Sequence, residues 1–205
     1  VELPEMLSRG MFNIGSIWLV FTLYMVLALL VTDIAKAFFP IIRPYGFIAP
    51  LGFTVCLLTY GYFNYKHPDI KRLDITLDKP LQGNPMKVVA ISDLHLGNGT
   101  RKPQLKKFME MINAEAPDLI VIGGDLIDNS LLPLYQQKMQ EELKQLKAPM
   151  GIYMVPGNHE YISGIEECKT FLKDTPVRLL HDSIVTLPNG LQIIGRDDRS
   201  NHRRT

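Results

Sequence analysis

Three short polar motifs between residues 90 and 160 hold the residues best suited to chemistry: AISDLHLG with Asp93 and His95, IGGDLID with Asp125 and Asp128, and VPGNHE with Asn158 and His159. Hard or borderline divalent ions in phosphoryl chemistry take carboxylate oxygen, amide oxygen and imidazole nitrogen as ligands. Asp93, His95, Asp125 and Asn158 supply that set. An aspartate with one oxygen on each ion can bridge a pair roughly 3.5–4 Å apart, and such a pair activates water and neutralises phosphoryl oxygens during in-line attack. His159, beside a ligand, is positioned to protonate the leaving oxygen. Asp128, soon after Asp125, is better placed to orient His159 than to bind metal, although it could equally be a helix N-cap. Glu160 reads as a helix-start carboxylate. One D-x-H is a weak signal, since Asp and His at strand ends often cap helices or bond to loops. Three motifs in a fixed order are a strong one.

The motifs need elements that bring them together. Each follows an apolar run of strand type, Lys87 to Ile91, Leu119 to Ile122 and Ile152 to Val155. Each polar cluster therefore falls at the C-terminal end of a buried strand, where open α/β sheets place their sites. Gly97, Gly123, Gly124 and Gly157 suit sharp turns and close backbone approach there. Between the runs, Pro103 to Glu115 reads as a helix with Leu105, Phe108, Met109 and Ile112 on one face. Pro133 to Lys147 reads as the next, with Leu134, Met139, Leu143 and Leu146 inward and Tyr135 blurring the stripe. Gly164 to Lys173 is a third helix. Val177 to Leu180, Ile184 to Leu187 and Leu191 to Gly195 read as short strands, and Asn189-Gly190 as a hairpin turn.

The ordered blocks D-x-H, G-D-x-x-D and G-N-H-E resemble those of the calcineurin-like metallophosphoesterases. That resemblance implies an α/β fold of two facing sheets flanked by helices, with two divalent metal ions at the top between them. It makes Asp93 and His95 ligands of the first ion, Asp125 the bridging ligand, Asn158 a ligand of the second, and His159 the catalytic histidine. The block IIGRDD, with Gly195, Asp197 and Asp198, is similar to a strand and loop of membrane-linked members. Asp197 and Asp198 stay open between a substrate-side loop and an ordinary turn. The family pattern continues with a further histidine and a late G-H-x-H block, and neither is visible before Thr205. His67, His181 and His202 read as structural or solvent-facing. On this reading the second ion has only Asp125 and Asn158, the chain looks truncated at both ends, and by itself it is expected to bind metal weakly. Manganese, iron and zinc all suit such mixed nitrogen and oxygen sites.

Upstream, Gly10 to Thr32 is 23 positions without a charge, and Pro44 to Tyr65 is 22 more. A bilayer span takes about 20 apolar residues. We expect two transmembrane helices, 10–32 and 44–65; the alternative for each is a buried core helix. The second carries Tyr45, Tyr60, Tyr62 and Tyr65 near its ends like an interfacial belt. Pro44, Pro50, Gly46, Gly52 and Gly61 thin it, which bilayers tolerate better than water does. The long apolar core and the second stretch disfavour a secretory signal peptide.

With two spans, Arg9, Lys66, Lys71, Arg72 and Lys79 flank one side, against Lys36 and Arg43 in the short loop. This charge bias puts the domain on the cytoplasmic face of a multi-pass cell-membrane protein. A formal net charge of +1 over 205 residues leaves no electrostatic footprint for nucleic acid. Cys56 and Cys168 make no disulfide framework. Oligomeric state is not legible.

The expected organisation is a membrane region over 1–65, a polar connector over 66–85 with an edge strand at Ile70 to Asp78, and the N-terminal part of a phosphoesterase domain over 86–205. Its apolar stretch Ile184 to Gly195 is expected to leave one face uncovered. Two functions fit. One is a membrane-bound phosphoesterase acting on a phosphomonoester, phosphodiester or pyrophosphate, with a lipid-linked substrate favoured by the anchor. The other is a non-catalytic membrane scaffold or phosphate-binding module that retains the fold.

Overall fold

A computed structural model describes residues 5–76, 78 and 85–201 of the chain. Residues 77 and 79–84 of the expected connector, Lys79 among them, and His202 lie outside the described residues. The chain divides into two compact units, Val1–Thr76 and Leu77–Thr205.

The first unit is helical. Helix α1 runs Glu5–Phe38, a 3-10 turn follows at Pro40–Tyr45, and helix α2 runs Ile48–Lys66. The stretch Met6–Phe38 is the one described helix long and apolar enough to cross a membrane, and very little of it is buried by protein. Its 33 residues reach roughly 50 Å at 1.5 Å per residue, more than a hydrocarbon core of about 30 Å requires. Trp18, Leu19, Leu23, Leu27 and Leu30 are all exposed, so α1 is apolar all round, unlike the one-sided stripe of a surface helix. The two helices meet where the Thr54 hydroxyl faces the Met25 sulfur at 3.9 Å, both residues being buried. The expected edge strand is not formed: residues 70–76 have no regular structure, with Leu73 and Ile75 largely exposed. Alternation alone cannot hold a strand, and this segment pairs with none among the described residues.

In the second unit, strands β1 (Val88–Ile91), β2 (Leu119–Ile122), β3 (Ile152–Met154) and β4 (Val177–Leu179) form one parallel sheet in that order. Period-two alternation divides their side chains between two cores. Ile120, Ile122, Ile152 and Met154 face one side, where they meet Leu105, Met109 and Ile112 of helix α3 (Lys102–Ala114) and Phe171 and Leu172 of a later helix. Leu119 and Tyr153 face the other, against Leu180, Leu187, Val185 and Ile193. The last two belong to a hairpin of β5 (Ser183–Thr186) and β6 (Gln192–Gly195), which is antiparallel. Gly190 sits in its turn at φ 86°, as expected of Asn-Gly. The outward residues Ile184 and Ile194 of this hairpin are exposed. The result is an α/β unit with a parallel sheet covered by helices on one face and a second, small sheet on the other.

The expected helix from Pro133 to Lys147 is instead two short ones, α4 (Leu132–Gln136) and α5 (Gln140–Leu143). Lys138 takes a left-handed conformation at φ 52°, its N–H bonds to Tyr135 O, and Met139 N–H reaches back to Leu134 O at 3.0 Å. That is a Schellman ending on a lysine. The break lets Leu134, Met139 and Leu143 all become fully buried, which one straight helix would not do with the same spacing. Helices α6 (Asn158–Ile162) and α7 (Ile165–Leu172) follow β3. Burial pushes the α7 thiol of Cys168 up to about 11, so it packs as a small apolar group.

Candidate metal centre

Parallel pairing of β1, β2 and β3 places their C-terminal ends side by side, so the three motif loops leave the sheet together. The first two loops stay tied beyond the strands. Gly123 N–H bonds to Ile91 O at 2.8 Å, Asp93 N–H to Gly124 O at 3.2 Å, His95 N–H to Asp125 O at 3.0 Å, and Asp128 N–H to Leu96 O at 3.0 Å.

Three residues in these loops hold left-handed backbones unusual for non-glycine types: Asp93 at φ 57°, His95 at φ 44° and Asp125 at φ 50°. Backbone strain of this kind costs of order 1–3 kcal/mol per residue and persists where surrounding bonds over-determine it. Here it turns three side chains to one point. A ligand atom from each of Asp93, His95 and Asp125 lies within 4.8 Å of the other two, and the same holds for His95, Asp128 and His159. Gly124, at φ 93°, and Gly157 make this possible. A Cβ on Gly124 would come within 2.7 Å of the Gly157 nitrogen, and one on Gly157 would collide with the Asp125 carboxylate.

His159 is fixed at several points. Its N–H donates to Asp125 Oδ1 at 2.9 Å, and its Nδ1 lies 3.3 Å from the Asp128 carbonyl oxygen and 3.4 Å from Asp128 Oδ1. Its ring stands edge to face on His95, with centroids 4.4 Å apart. Asp128 Oδ1 is also 3.7 Å from His95 Nδ1, so this carboxylate serves both imidazoles. Asn158, the first residue of α6, is exposed beside His159 and lines a neighbouring cavity. Converging carboxylates and imidazoles, partly open to solvent, are a donor set that fits divalent ions.

Glu160 has a larger part than a helix-start carboxylate. It is fully buried, and it accepts from Gly157 N–H at 2.8 Å, which is the helix-start bond, but also from Asp125 N–H at 2.9 Å and Ile127 N–H at 3.1 Å. One side chain thus clamps the second motif loop to the third. Its invisibility in the sequence is physical: no local pattern separates a capping glutamate from one that also reaches another strand's loop.

A second polar cluster adjoins the cavity. The buried Asp197 carboxylate accepts from the Tyr161 hydroxyl, from Asn201 Nδ2 at 2.6 Å and from Asp198 N–H at 2.9 Å, and His181 Nε2 lies 2.9 Å from it. Burial works against the Asp197 charge, yet the hydrogen bonds from Tyr161 and Asn201, with His181 nearby, hold its carboxyl below the usual range. Burial and the Asp197 contact push the Tyr161 phenol far up, so it stays a donor. Bonds from the Ser200 side chain and backbone keep Asp198 low as well. His67 lies in the first unit, its Nδ1 2.8 Å from Phe63 O.

Comparison with known proteins follows the same lines. Residues 86–200 match the family model of the calcineurin-like phosphoesterases. An uncharacterized metallophosphoesterase of Helicobacter pylori is 34% identical over 149 residues, 71% of this chain and 39% of that protein. A transmembrane protein with metallophosphoesterase domain from Danio rerio is 32% identical over 133 residues, 63% of this chain and 30% of its own length. The UDP-2,3-diacylglucosamine pyrophosphatase LpxG of Chlamydia muridarum is 30% identical over 136 residues, 64% and 38% of the two chains. The chain belongs to the calcineurin-like phosphoesterase family, whose members are metal-dependent phosphoesterases. It spans well under half the length of these relatives. Some relatives are named as transmembrane proteins, and α1 is long and apolar enough to cross a membrane.

Proposed function

We propose that this chain is the site-bearing part of a membrane-bound phosphoesterase that uses two divalent ions, with Asp93, His95 and Asp125 on the first and Asp125 and Asn158 on the second. The observation that carries the reading is the convergence of Asp93, His95 and Asp125 within 4.8 Å under three left-handed backbones. Manganese, iron or zinc held there would supply an activated water and positive charge opposite the phosphoryl oxygens. His159 donates a proton to the leaving oxygen, and Asp128, against its Nδ1, sets the ring's orientation. Glu160 keeps the two loops in register through its three backbone bonds.

The substrate is a phosphomonoester, phosphodiester or pyrophosphate, and a lipid-linked one is favoured. Support comes from α1, an apolar helix suited to anchor the chain to a bilayer, and from LpxG, a relative named for a pyrophosphatase activity on a diacylated sugar nucleotide. The charge-free stretch Pro44 to Tyr65, most of which lies in α2, would be a second span, although α1 is the one described helix that is long and apolar enough by itself. The protein would then be multi-pass, with Arg9, Lys66, Lys71, Arg72 and Lys79 favouring a cytoplasmic domain. A reporter fused after Thr205 that is active only outside the cytoplasm overturns this orientation.

The catalytic test uses the full-length protein with manganese, iron or zinc supplied. His159→Ala lowers turnover by about 10²–10⁴-fold while metal content stays nearly unchanged. Asp125→Asn and Asn158→Ala lose metal. Equal metal loss in all three variants would remove His159 from the proton-donor role, and hydrolysis that survives complete metal removal would sink the reading.

A further inference from the structure

Beside Asn158 lies a cavity of about 650 Å³ with Tyr161, Ile162, Ile165, His181 and Asn201 in its lining. Its size is that of a small-molecule site, and its lining joins an apolar wall to polar groups and to an ion pair, Lys169 with Glu166 at 2.7 Å. Resting on the phosphoesterase reading above, we propose that this cavity is the subsite for a hydroxylated organic group esterified to the substrate's phosphate, with His181 as its specificity-determining residue.

The argument starts from Asp197. Its side chain is inaccessible to solvent and, as a carboxylate, can only accept, so the His181 nitrogen at 2.9 Å must present its hydrogen to it. Tyr161 braces the arrangement, with its hydroxyl donated to Asp197 and its oxygen 3.2 Å from the same imidazole nitrogen. The His181 tautomer is thereby set, and Nδ1 has no protein partner among the described residues. Nδ1 accepts a hydroxyl or amide hydrogen when the ring is neutral and donates to a hydroxyl oxygen when it is charged, so a hydroxyl suits it in either form. Inorganic phosphate near neutral pH offers only its one or two P–OH hydrogens, whereas a polyhydroxylated substituent offers several. Ile162, 60% exposed, forms with Ile165 an apolar wall suited to the C–H face of a sugar ring or a glycerol chain. Beside them the Asn158 amide donates and accepts at once, as hydroxyl recognition requires, while Asn201 gives its Nδ2 hydrogen to Asp197 at 2.6 Å. Asn158 lines the cavity and directly precedes His159 in the chain, so with Asn158 as the proposed ligand of the second ion a phosphate at the metals would direct its ester substituent here.

The subsite is tested by calorimetric titration of the full-length, manganese-supplied protein with glucosamine 1-phosphate, glycerol 3-phosphate and inorganic phosphate. At least one organic phosphate binds about tenfold tighter than inorganic phosphate, the gain of one or two good contacts. The ligand that does so identifies the group as sugar or glycerol. His181→Ala brings that affinity ratio down to about one, and Ile162→Ala lowers it too; both side chains are substantially exposed, so the fold survives their loss. A wild-type ratio near one overturns the proposal, and so does a ratio that persists in His181→Ala. Equal loss of all three ligands in that variant overturns it too, since His181 would then hold the phosphate itself. Hydrolysis of bis(4-nitrophenyl) phosphate is measured alongside. Selective binding without hydrolysis sinks only the phosphoesterase reading, while hydrolysis without selective binding sinks only the subsite.

Discussion

Glu160 shows how one buried carboxylate can govern a site it does not touch. Three backbone N–H groups from two different loops end on the oxygens of this fully buried side chain. Each buried donor left unsatisfied costs about 1–3 kcal/mol, so Glu160→Ala is expected to lose at least about 3 kcal/mol of stability. Chemical denaturation of the variant checks this. Glu160→Gln, which sets an NH2 against a backbone N–H, falls between wild type and alanine and also weakens metal binding, because Asp125 loses its anchor. Unchanged metal affinity in a folded Glu160→Gln protein would show that the loops hold themselves.

Asp197 makes a prediction about pH at the same scale. Its folded carboxyl titrates below the ordinary value of about 3.9. The stability it contributes is therefore present above that value and lost as pH falls through the folded pKa. Asp197→Asn should lower the melting temperature near pH 6 and flatten its decline between about pH 4 and pH 2. A variant whose melting temperature falls as steeply in acid as the wild type would contradict this.

At the scale of elements, the break between α4 and α5 is set by a lysine where helices usually end on glycine. A left-handed conformation costs a non-glycine residue roughly 1 kcal/mol. Lys138→Gly is thus expected to stabilise the domain by about 0.5–1 kcal/mol, and Lys138→Val to destabilise it, read as shifts in thermal midpoint. Were the glycine variant less stable, the segment would gain more from the lysine side chain than its backbone costs. Helix α3 needed no such correction, since its buried Leu105, Met109 and Ile112 follow the helical period directly.

For the whole molecule, the membrane helix is the element whose environment matters most. The middle of α1 packs Met25 against α2 and exposes apolar Leu19, Leu23, Leu27 and Leu30 on its other side, whose favourable partner is lipid. Leu23→Arg, near the centre, should raise the insertion cost by about 2.5–3.5 kcal/mol. The measured outcome is a larger fraction of the protein released by alkaline extraction of membranes. Extraction identical to wild type would mean that α1 does not sit across the hydrocarbon core.

Local order carried much of this protein into its sequence. The apolar runs before each motif, the Asn-Gly turn and the charge-free stretch of α1 are legible because strand, turn and span each leave a pattern within a few consecutive residues. The three motifs are legible for the same reason: chemistry demands particular side chains at a strand's end. The two breaks from expectation came where tertiary forces outweigh local ones. Residues 70–76 alternate like a strand but pair with no strand among the described residues, and Pro133 to Lys147 repeats like one helix but buries more apolar surface as two. What only the tertiary structure decided was long-range. Parallel pairing sets Asp93 beside Asp125, Glu160 ties the backbone of one loop to the next, and Tyr161, His181 and Asp197 gather around one cavity. Those partners lie tens of residues apart, and hydrogen bonds across such distances leave no periodicity in the chain; they exist only once a sheet has brought its strand ends together.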